Sequence, residues 1–254
     1  MKSLRNISIS IVSHTQIALV KPLLLDLNRY CETSSVEVIL TLNIPESLPF
    51  NLDDFSYPIV LLVNSVPKGF GANHNTAFAH ARGRYFCVLN PDIRISINPF
   101  DELLANFTDH SIGVAAPLVM DGEGQVEDSA RNFPTPLTIL CKALGYCNGN
   151  DYVIGEEPFY PDWVGGMCML FSRASFQRLG GFDERFFLYY EDVDICARSW
   201  LLGLKVMVNP QSKITHYAQR TSRYRLKYLG WHLKSMIRFF FSSICWRVQL
   251  YRRR

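Results

Sequence analysis

Tyr85-Phe86-Cys87-Val88-Leu89-Asn90-Pro91-Asp92 is the stretch on which the reading of the fold turns. Five consecutive apolar residues read as a strand, and the strand ends in a turn former and a carboxylate. Upstream, Asn73 to Arg82 reads as a helix, Pro58 to Val63 as a strand ending at Asn64, and Val36 to Leu40 as another strand. Ala18 to Tyr30 carries Leu19, Leu23, Leu24 and Leu27 at helical spacing, and Ile7 to Val12 is a first strand ending at Ser13-His14-Thr15. This β-α-β-β-α-β alternation predicts an α/β fold with a mainly parallel central sheet flanked by helices. Ligands of such sheets sit beyond the carboxyl ends of the strands. Chemistry is therefore expected at Ser13-His14, at Asn64 and at Asn90-Pro91-Asp92.

Downstream, Phe100 to Phe107 reads as a helix, Gly113 to Val119 as a strand and Asp121 to Gly124 as a turn. Asn132 to Pro161, punctuated by Pro and Gly, yields no regular element. Trp163 to Phe171 is apolar around Gly165-Gly166, Gly180-Gly181 marks a turn, and Glu191 to Leu202 reads as a helix opening with acids. Lys205 to Val208 and Lys213 to Thr215 are strand-like and lead to His216.

The chain has 254 residues and a formal net charge of only +3, unevenly spread. Residues 1–194 carry −10, and residues 195–254 carry +13 with no acid at all. Such an asymmetry points to an anionic partner for the C-terminal part: nucleic acid, an anionic membrane or a phosphorylated ligand. Seven cysteines, mostly in apolar runs and without a Cys-x-x-Cys pair, read as reduced buried thiols of a cytosolic protein. No signal peptide is predicted, because Ile7 to Val12 is too short. No run reaches the roughly 20 apolar residues of a membrane span.

Four constellations could carry chemistry. Gly69-Phe70-Gly71-Ala72-Asn73-His74-Asn75 opens a helix and suits either an anion or a tight capped turn. Asn90-Pro91-Asp92 offers a hard oxygen ligand for Mg²⁺, or closes an Asx-type turn. Glu191-Asp192-Val193-Asp194 suits a helix dipole, yet crowded carboxylates behind aromatic walls are also how a general base is tuned. His216 is a candidate metal ligand in a chain that offers Asp92.

Taken in order and spacing, these motifs, with Trp163-Val164-Gly165-Gly166 and the Gly180-Gly181-Phe182-Asp183-Glu184 to Arg198 segment, resemble the inverting family-two glycosyltransferases of the GT-A fold. The resemblance covers Ile7 to Ser235. The Asn-Pro-Asp form and His216-Tyr217-Ala218-Gln219, with Trp231-His232-Leu233-Lys234-Ser235 following, look like the rhamnosyltransferases of O-antigen assembly. By that resemblance Asp192 is the catalytic base, with Glu191 beside it. Asp92 and His216 hold Mg²⁺ or Mn²⁺. Ser13 and His14 border the nucleotide, and Asn64, Gly69, Phe70, Gly71, Asn73, Asn75 and Asn90 border the nucleotide sugar. Trp163, Gly165 and Gly166 line the acceptor side. Two departures stand out: Asn90 replaces the first Asp of the family's metal motif, and Thr41-Leu42-Asn43 stands where many relatives carry an Asp-Asn pair.

The resemblance implies transfer of L-rhamnose from dTDP-L-rhamnose, or of another sugar from a UDP- or GDP-linked donor, with inversion. The implied acceptor is a polyprenyl-diphosphate-linked saccharide in O-antigen, lipopolysaccharide or other surface polysaccharide assembly. Residues 1–222 are expected to form the catalytic unit. Residues 223–254 are expected to form a basic amphipathic helical tail, with Leu226, Leu229, Leu233, Ile237, Phe240, Ile244, Val248 and Tyr251 at helical spacing. The first half of this helix is expected to pack on the core with a solvated basic face, and the second half, with its aromatics and Arg252-Arg253-Arg254, to lie on an anionic bilayer, which places the protein peripherally on the inner face of the cytoplasmic membrane. A nucleic-acid-binding protein is the alternative from another class, but it accounts for neither the acid cluster nor the glycine loop. A nucleotidyltransferase lacks its Gly-rich basic loop after the first strand, and a non-catalytic sugar-binding module leaves Asp192 without a role.

Overall fold

The computed structural model describes residues 6–146, 151–218 and 226–251. Cys147, Gln219, the boundary expected at residues 222 and 223, Tyr224 and Arg252 to Arg254 lie outside them. Eight strands form one sheet in the spatial order β3-β2-β1-β4-β9-β6-β10-β5. They are β1 (Ile7–Ser13), β2 (Val36–Leu42), β3 (Ile59–Val63), β4 (Tyr85–Leu89), β5 (Ile93–Arg94), β6 (Ile112–Asp121), β9 (Cys168–Ser172) and β10 (Lys205–His216). A separate two-stranded ribbon pairs β7 (Ala130–Arg131) with β8 (Trp163–Val164). The β3-β2-β1-β4 half is parallel throughout, as the alternation upstream of Asp92 requires. β9 is antiparallel to both β4 and β6 and bridges that half to the parallel pair β6–β10, beyond which β5 is antiparallel to β10.

β1 shows how the sheet is covered on both faces. Ile7, Ile9 and Ile11 point into a core with Leu23, Leu24 and Leu27 of helix α1 (Ile17–Tyr30) and with Phe100 and Leu103 of α3 (Phe100–Asn106). Ser8 and Ser10 alternate onto the other face and find partners there: Ser8 donates to Glu37 (2.6 Å), and Ser10 pairs with His74 Nδ1 (2.8 Å). That second face packs Phe86, Val88 and Phe171 against α2 (Phe70–His80), α5 (Arg173–Leu179) and α6 (Glu191–Leu201). The two strand-like pieces at Lys205 and Lys213 are one strand. Its register on β6 shifts between Asn209 and Lys213, around Pro210, which has no N–H to give the ladder. The unread stretch contains a short helix, α4 (Pro136–Ala143).

The tail differs from expectation. It is two helices, α7 (Leu226–Phe240) and α8 (Ser243–Tyr251), broken at Phe241-Ser242, where the Ser242 hydroxyl caps α8 by accepting from the Cys245 N–H (3.1 Å). Phe239, Cys245 and Val248 are buried with Phe133, Phe186, Tyr190, Val193 and Ala197. The second half of the tail, Val248 included, is thus part of the core against α6. Among the described residues no helix is long and apolar enough to cross a membrane. The six described cysteines are free thiols, five of them buried.

Candidate active site

α6 opens at an unusual place. Tyr189 and Tyr190, which precede it, both have positive φ, 69° and 68°. Two consecutive bulky residues in this region are strained, and such strain persists only where the surroundings hold it. The three carboxylates that follow part company. Asp194 is buried and pairs with Arg198 (2.8 Å), which also reaches the Leu179 carbonyl. Its role is structural. Glu191 is buried, and its Oε2 has no hydrogen-bond partner. Burial, and then the neighbouring charge of Asp192, push its carboxyl well above the usual range, which favours its neutral form. Asp192 is also raised by burial, but it accepts from the Val193 N–H (2.9 Å) and the Gly166 N–H (3.2 Å) and feels the positive charge of Arg131. These terms favour its anion over that of Glu191.

Gly166 is where three predicted segments meet. A Cβ there would lie 3.1 Å from the Phe70 ring and 3.9 Å from Asp192 Cβ. The next residue, Met167, accepts from the Asn90 N–H (2.9 Å), so the Asn-Pro-Asp turn joins the same edge. Trp163 stands back from it, its Nε1–H on the Asn132 carbonyl (2.9 Å) and the Arg131 guanidinium over its ring. Gly165 donates to the Ser129 carbonyl (2.9 Å).

Asp92 and His216, 124 residues apart in sequence, are brought together by β5. Ile93 pairs with His216 across the antiparallel β5–β10 ladder, and the Tyr217 N–H donates to the Asp92 carbonyl (2.9 Å). Arg94 and Ile95 then anchor on Asp26 of α1, the guanidinium by two bonds of 2.5 and 2.9 Å. His216 Nε2 lies 3.3 Å from Asp92 Oδ2, and its Nδ1 lies 2.7 Å from Glu127 Oε2. Burial opposes charge on this imidazole, but both carboxylates outweigh it and raise its pKa to about 9. Folded His216 therefore binds its proton more tightly than the unfolded residue. The stability this adds is present below about pH 6.5 and lost as pH rises through about 9. In metal-free buffer, the stability advantage of wild type over His216→Asn is expected to shrink across that window in urea titrations. An advantage that stays constant from pH 6 to about 9.5 would show that the imidazole is not charged between the two carboxylates.

A hollow of about 350 Å³ opens at Asp121, Glu123, Glu127, His216 and Tyr217, and another of about 270 Å³ at Leu19, Pro91, Asp92, Arg94 and Tyr217. Among the described residues no group of three or more His, Cys, Asp or Glu forms a metal cage.

The asparagines of the glycine loop turn inward. Asn64 donates to Asn43 (2.9 Å) and to Asn73 (2.7 Å), and Asn73 donates to the Gly69 carbonyl (3.0 Å). Asn75 reaches 107 residues along the chain, donating to the Phe182 carbonyl (2.9 Å) and accepting from the Phe182 N–H (2.8 Å). It thereby ties α2 to the Gly180-Gly181 turn. Gly181 has φ 72°, and a Cβ there would strike the Asn75 side chain at 2.4 Å. Gly71 packs on Phe182, and Gly69 on the Phe187 backbone, where a Cβ would lie 2.7 Å from the carbonyl oxygen. Ser13 is buried, with its hydroxyl on Glu46, which also takes the Ile17 N–H (3.2 Å) at the start of α1. His14 lies 3.1 Å from the Asn43 amide. In the structure, Ser13, Asn64, Asn73 and Asn75 thus frame the edge with side chains already partnered. Glu127, Glu46 and Asp26 were not anticipated. Glu127 stands beside Asp128 with no strand before it, Asp26 interrupts the leucines of a helix and Glu46 sits in a loop, and no motif marks any of them.

Two family models match the chain: "Glycosyl transferase family 2" over residues 8–158 and "N-terminal domain of galactosyltransferase" over residues 154–223. The rhamnosyltransferase WbbL of Escherichia coli is 30% identical over 249 residues, which is 91% of each chain. The chain belongs to glycosyl transferase family 2. A second relative of this glycosyltransferase is the N-acetylglucosaminyl-diphospho-decaprenol L-rhamnosyltransferase of Mycobacterium tuberculosis, 31% identical over 170 residues, or 58% of this chain and 52% of that one. Among solved structures, GalNAc-T7 with UDP, GalNAc and Mn²⁺ matches 86% of this enzyme and 45% of its own chain, with TM-score 0.66 and 18% identity. The mannosyltransferase PcManGT of Pyrobaculum calidifontis, with GDP-Man and Mn²⁺, matches 93% of it and 66% of its own chain, with TM-score 0.64 and 15% identity. These likenesses agree with the α/β GT-A fold expected from the sequence.

Proposed function

We propose that this glycosyltransferase moves L-rhamnose from dTDP-L-rhamnose to a polyprenyl-diphosphate-linked saccharide in O-antigen or related surface polysaccharide assembly. The observation that carries the donor is the end-to-end likeness to a rhamnosyltransferase, 30% identical over 91% of both chains. The decaprenol-linked acceptor in the second relative's name supports the lipid carrier.

Asp192 takes the acceptor hydroxyl proton on its carboxylate as that oxygen attacks the anomeric carbon. The Gly166 and Val193 N–H groups hold the carboxylate in place, and burial opposes a competing charge on Glu191. A single base without a second carboxylate nucleophile gives inversion. Asp92 Oδ1 is buried without a partner and His216 lies beside it, so this oxygen and this imidazole, once deprotonated, would suit a divalent ion. When bound, that ion supplies charge neutralisation for the departing nucleoside diphosphate.

The anionic partner of the tail is a membrane surface on this reading. Leu226, Leu229, Leu233, Ile237 and Phe241 form an exposed stripe with steps of three or four residues, and Lys227, Lys234 and Arg247 are exposed around it. The enzyme would then work peripherally on the inner face of the cytoplasmic membrane, where its acceptor resides.

The test is turnover of dTDP-L-rhamnose, UDP-sugars and GDP-sugars with a GlcNAc-diphospho-polyprenol acceptor, with and without EDTA. Transfer from dTDP-L-rhamnose giving a product of inverted anomeric configuration, lost in EDTA, is expected. Preferred turnover of a UDP- or GDP-sugar would overturn the donor, and undiminished activity in EDTA would remove the metal.

A further inference from the structure

The segment before the catalytic base does not hold itself. Residues 185–190 run past the donor loop on one side, where the Phe70 N–H donates to the Phe187 carbonyl (2.8 Å) and Gly69 is pressed against the Phe187 backbone. They end in the strained pair Tyr189-Tyr190, and the Tyr190 carbonyl accepts from the Asp194 N–H (2.9 Å), the first turn of α6. On the other side the segment is gripped along its length by one face of α7. Trp231 packs on Phe187 with the rings tilted at 38° and their centroids 4.7 Å apart. The buried Ser235 hydroxyl donates to the Leu188 carbonyl (2.8 Å). The His232 ring meets Tyr189 at 5.3 Å and Tyr190 at 5.5 Å, both edge-on. Arg238 reaches the Arg185 carbonyl, and Phe239 packs on Tyr190.

We propose that Trp231, His232 and Ser235 are positioning residues for sugar transfer: from outside the site they hold residues 187–190 in the strained conformation that sets both Asp192 and the glycine loop. A left-handed tyrosine is disfavoured, and two in succession persist only where surrounding contacts hold them. α7 supplies them at four consecutive residues, Phe187, Leu188, Tyr189 and Tyr190. None of the three α7 side chains touches Asp192 in the described contacts, so their effect passes through the segment. The same helix presents its apolar stripe from another side. If the membrane reading holds, seating of α7 on a bilayer bears directly on the geometry of the base.

The inference rests on the assignment of Asp192 as base, and its experiment separates the two. Ser235→Ala combined with His232→Ala removes the hydrogen bond and the ring edge without touching the core residues Phe239, Cys245 and Val248. The donor used is whichever nucleotide sugar the wild type turns over. The double variant is expected to lose about 10- to 100-fold in kcat, with donor KM changed far less, because a misplaced base slows chemistry more than binding. Amide exchange in residues 185–190 is expected to speed up by about tenfold while the central sheet keeps its protection. Ser235→Thr with His232→Phe, which keeps a hydroxyl and a ring, is expected to restore most of the rate. Unchanged kcat in the double variant would overturn the proposal whether or not exchange increases. So would a kcat loss with unchanged exchange at 185–190, or a loss that the hydroxyl- and ring-retaining pair does not rescue. An active Asp192→Asn enzyme would instead strike at the base assignment, leaving the exchange result to report on the grip.

Discussion

Asp192→Asn is expected to lower kcat by about 10²–10⁴-fold, the usual worth of one general base, while donor binding stays close to wild type. The asparagine keeps the size of the side chain, and its one amide oxygen can still accept from the Gly166 or the Val193 N–H, which now bond to separate carboxylate oxygens, so the local fold should survive the loss of the other bond. What it loses is the proton acceptor. Single-turnover assays with donor affinity measured in parallel check this, and a variant that retains more than about a tenth of wild-type kcat would reassign the base. The neighbouring Glu191→Gln separates the two acids. Because burial and Asp192 both oppose ionisation of Glu191, its uncharged amide is a close substitute and should cost far less. The pH profile adds a sign. Asp192 is raised above the ordinary carboxylate range by burial, so kcat should fall on the acid side at a higher pH than a solvent-exposed aspartate would give.

Replacing Leu229, Leu233 and Ile237 together by Asp is expected to abolish binding to anionic vesicles. These side chains are exposed in the structure, so the change leaves the core intact. Each aliphatic side chain buried in a membrane surface is worth roughly 1.5–3 kcal/mol, and added negative charge opposes the basic tail's attraction to the headgroups. Flotation with phosphatidylglycerol-containing and neutral vesicles reads the result. Equal flotation of wild type and the triple variant would show that the stripe does not meet the bilayer. Truncation after Ser235 is a poorer experiment. It strips Phe239, Cys245 and Val248 from a core shared with Val193 and Ala197 of the base helix, and loss of one buried Phe alone costs about 3–5 kcal/mol. Lost activity in that form would report damage to α6 as readily as loss of lipid.

The parallel half of the sheet was legible residue by residue, because local pattern alone specifies it. Ile7 to Val12 alternates, Tyr85 to Leu89 is uniformly apolar, and the strand assignments there differ from the structure by a residue or two. The candidate site was legible as a set of positions, since polar residues after such strands have few places to go. The identity of the family followed from order and spacing. What each side chain does there was not legible, because partners lie far off in sequence. Asp194 and Glu191 stand in the same acidic run, yet one meets Arg198 and the other keeps a buried carboxyl oxygen without a hydrogen bond. Asn64, Asn73 and Asn75 looked like ligand donors until their amides found Asn43, Gly69 and Phe182. Glu127 had no signal at all and became a partner of His216 only through the packing of β6 beside β10. The tail makes the same point about periodicity. Helical spacing from Leu226 to Tyr251 shows that an apolar face exists, but not what covers it. Tertiary structure broke the helix at Phe241-Ser242 and turned Val248 into the core while leaving Leu233 outside. Burial depends on which surface another element presents, and a single helical stripe carries no information about that surface.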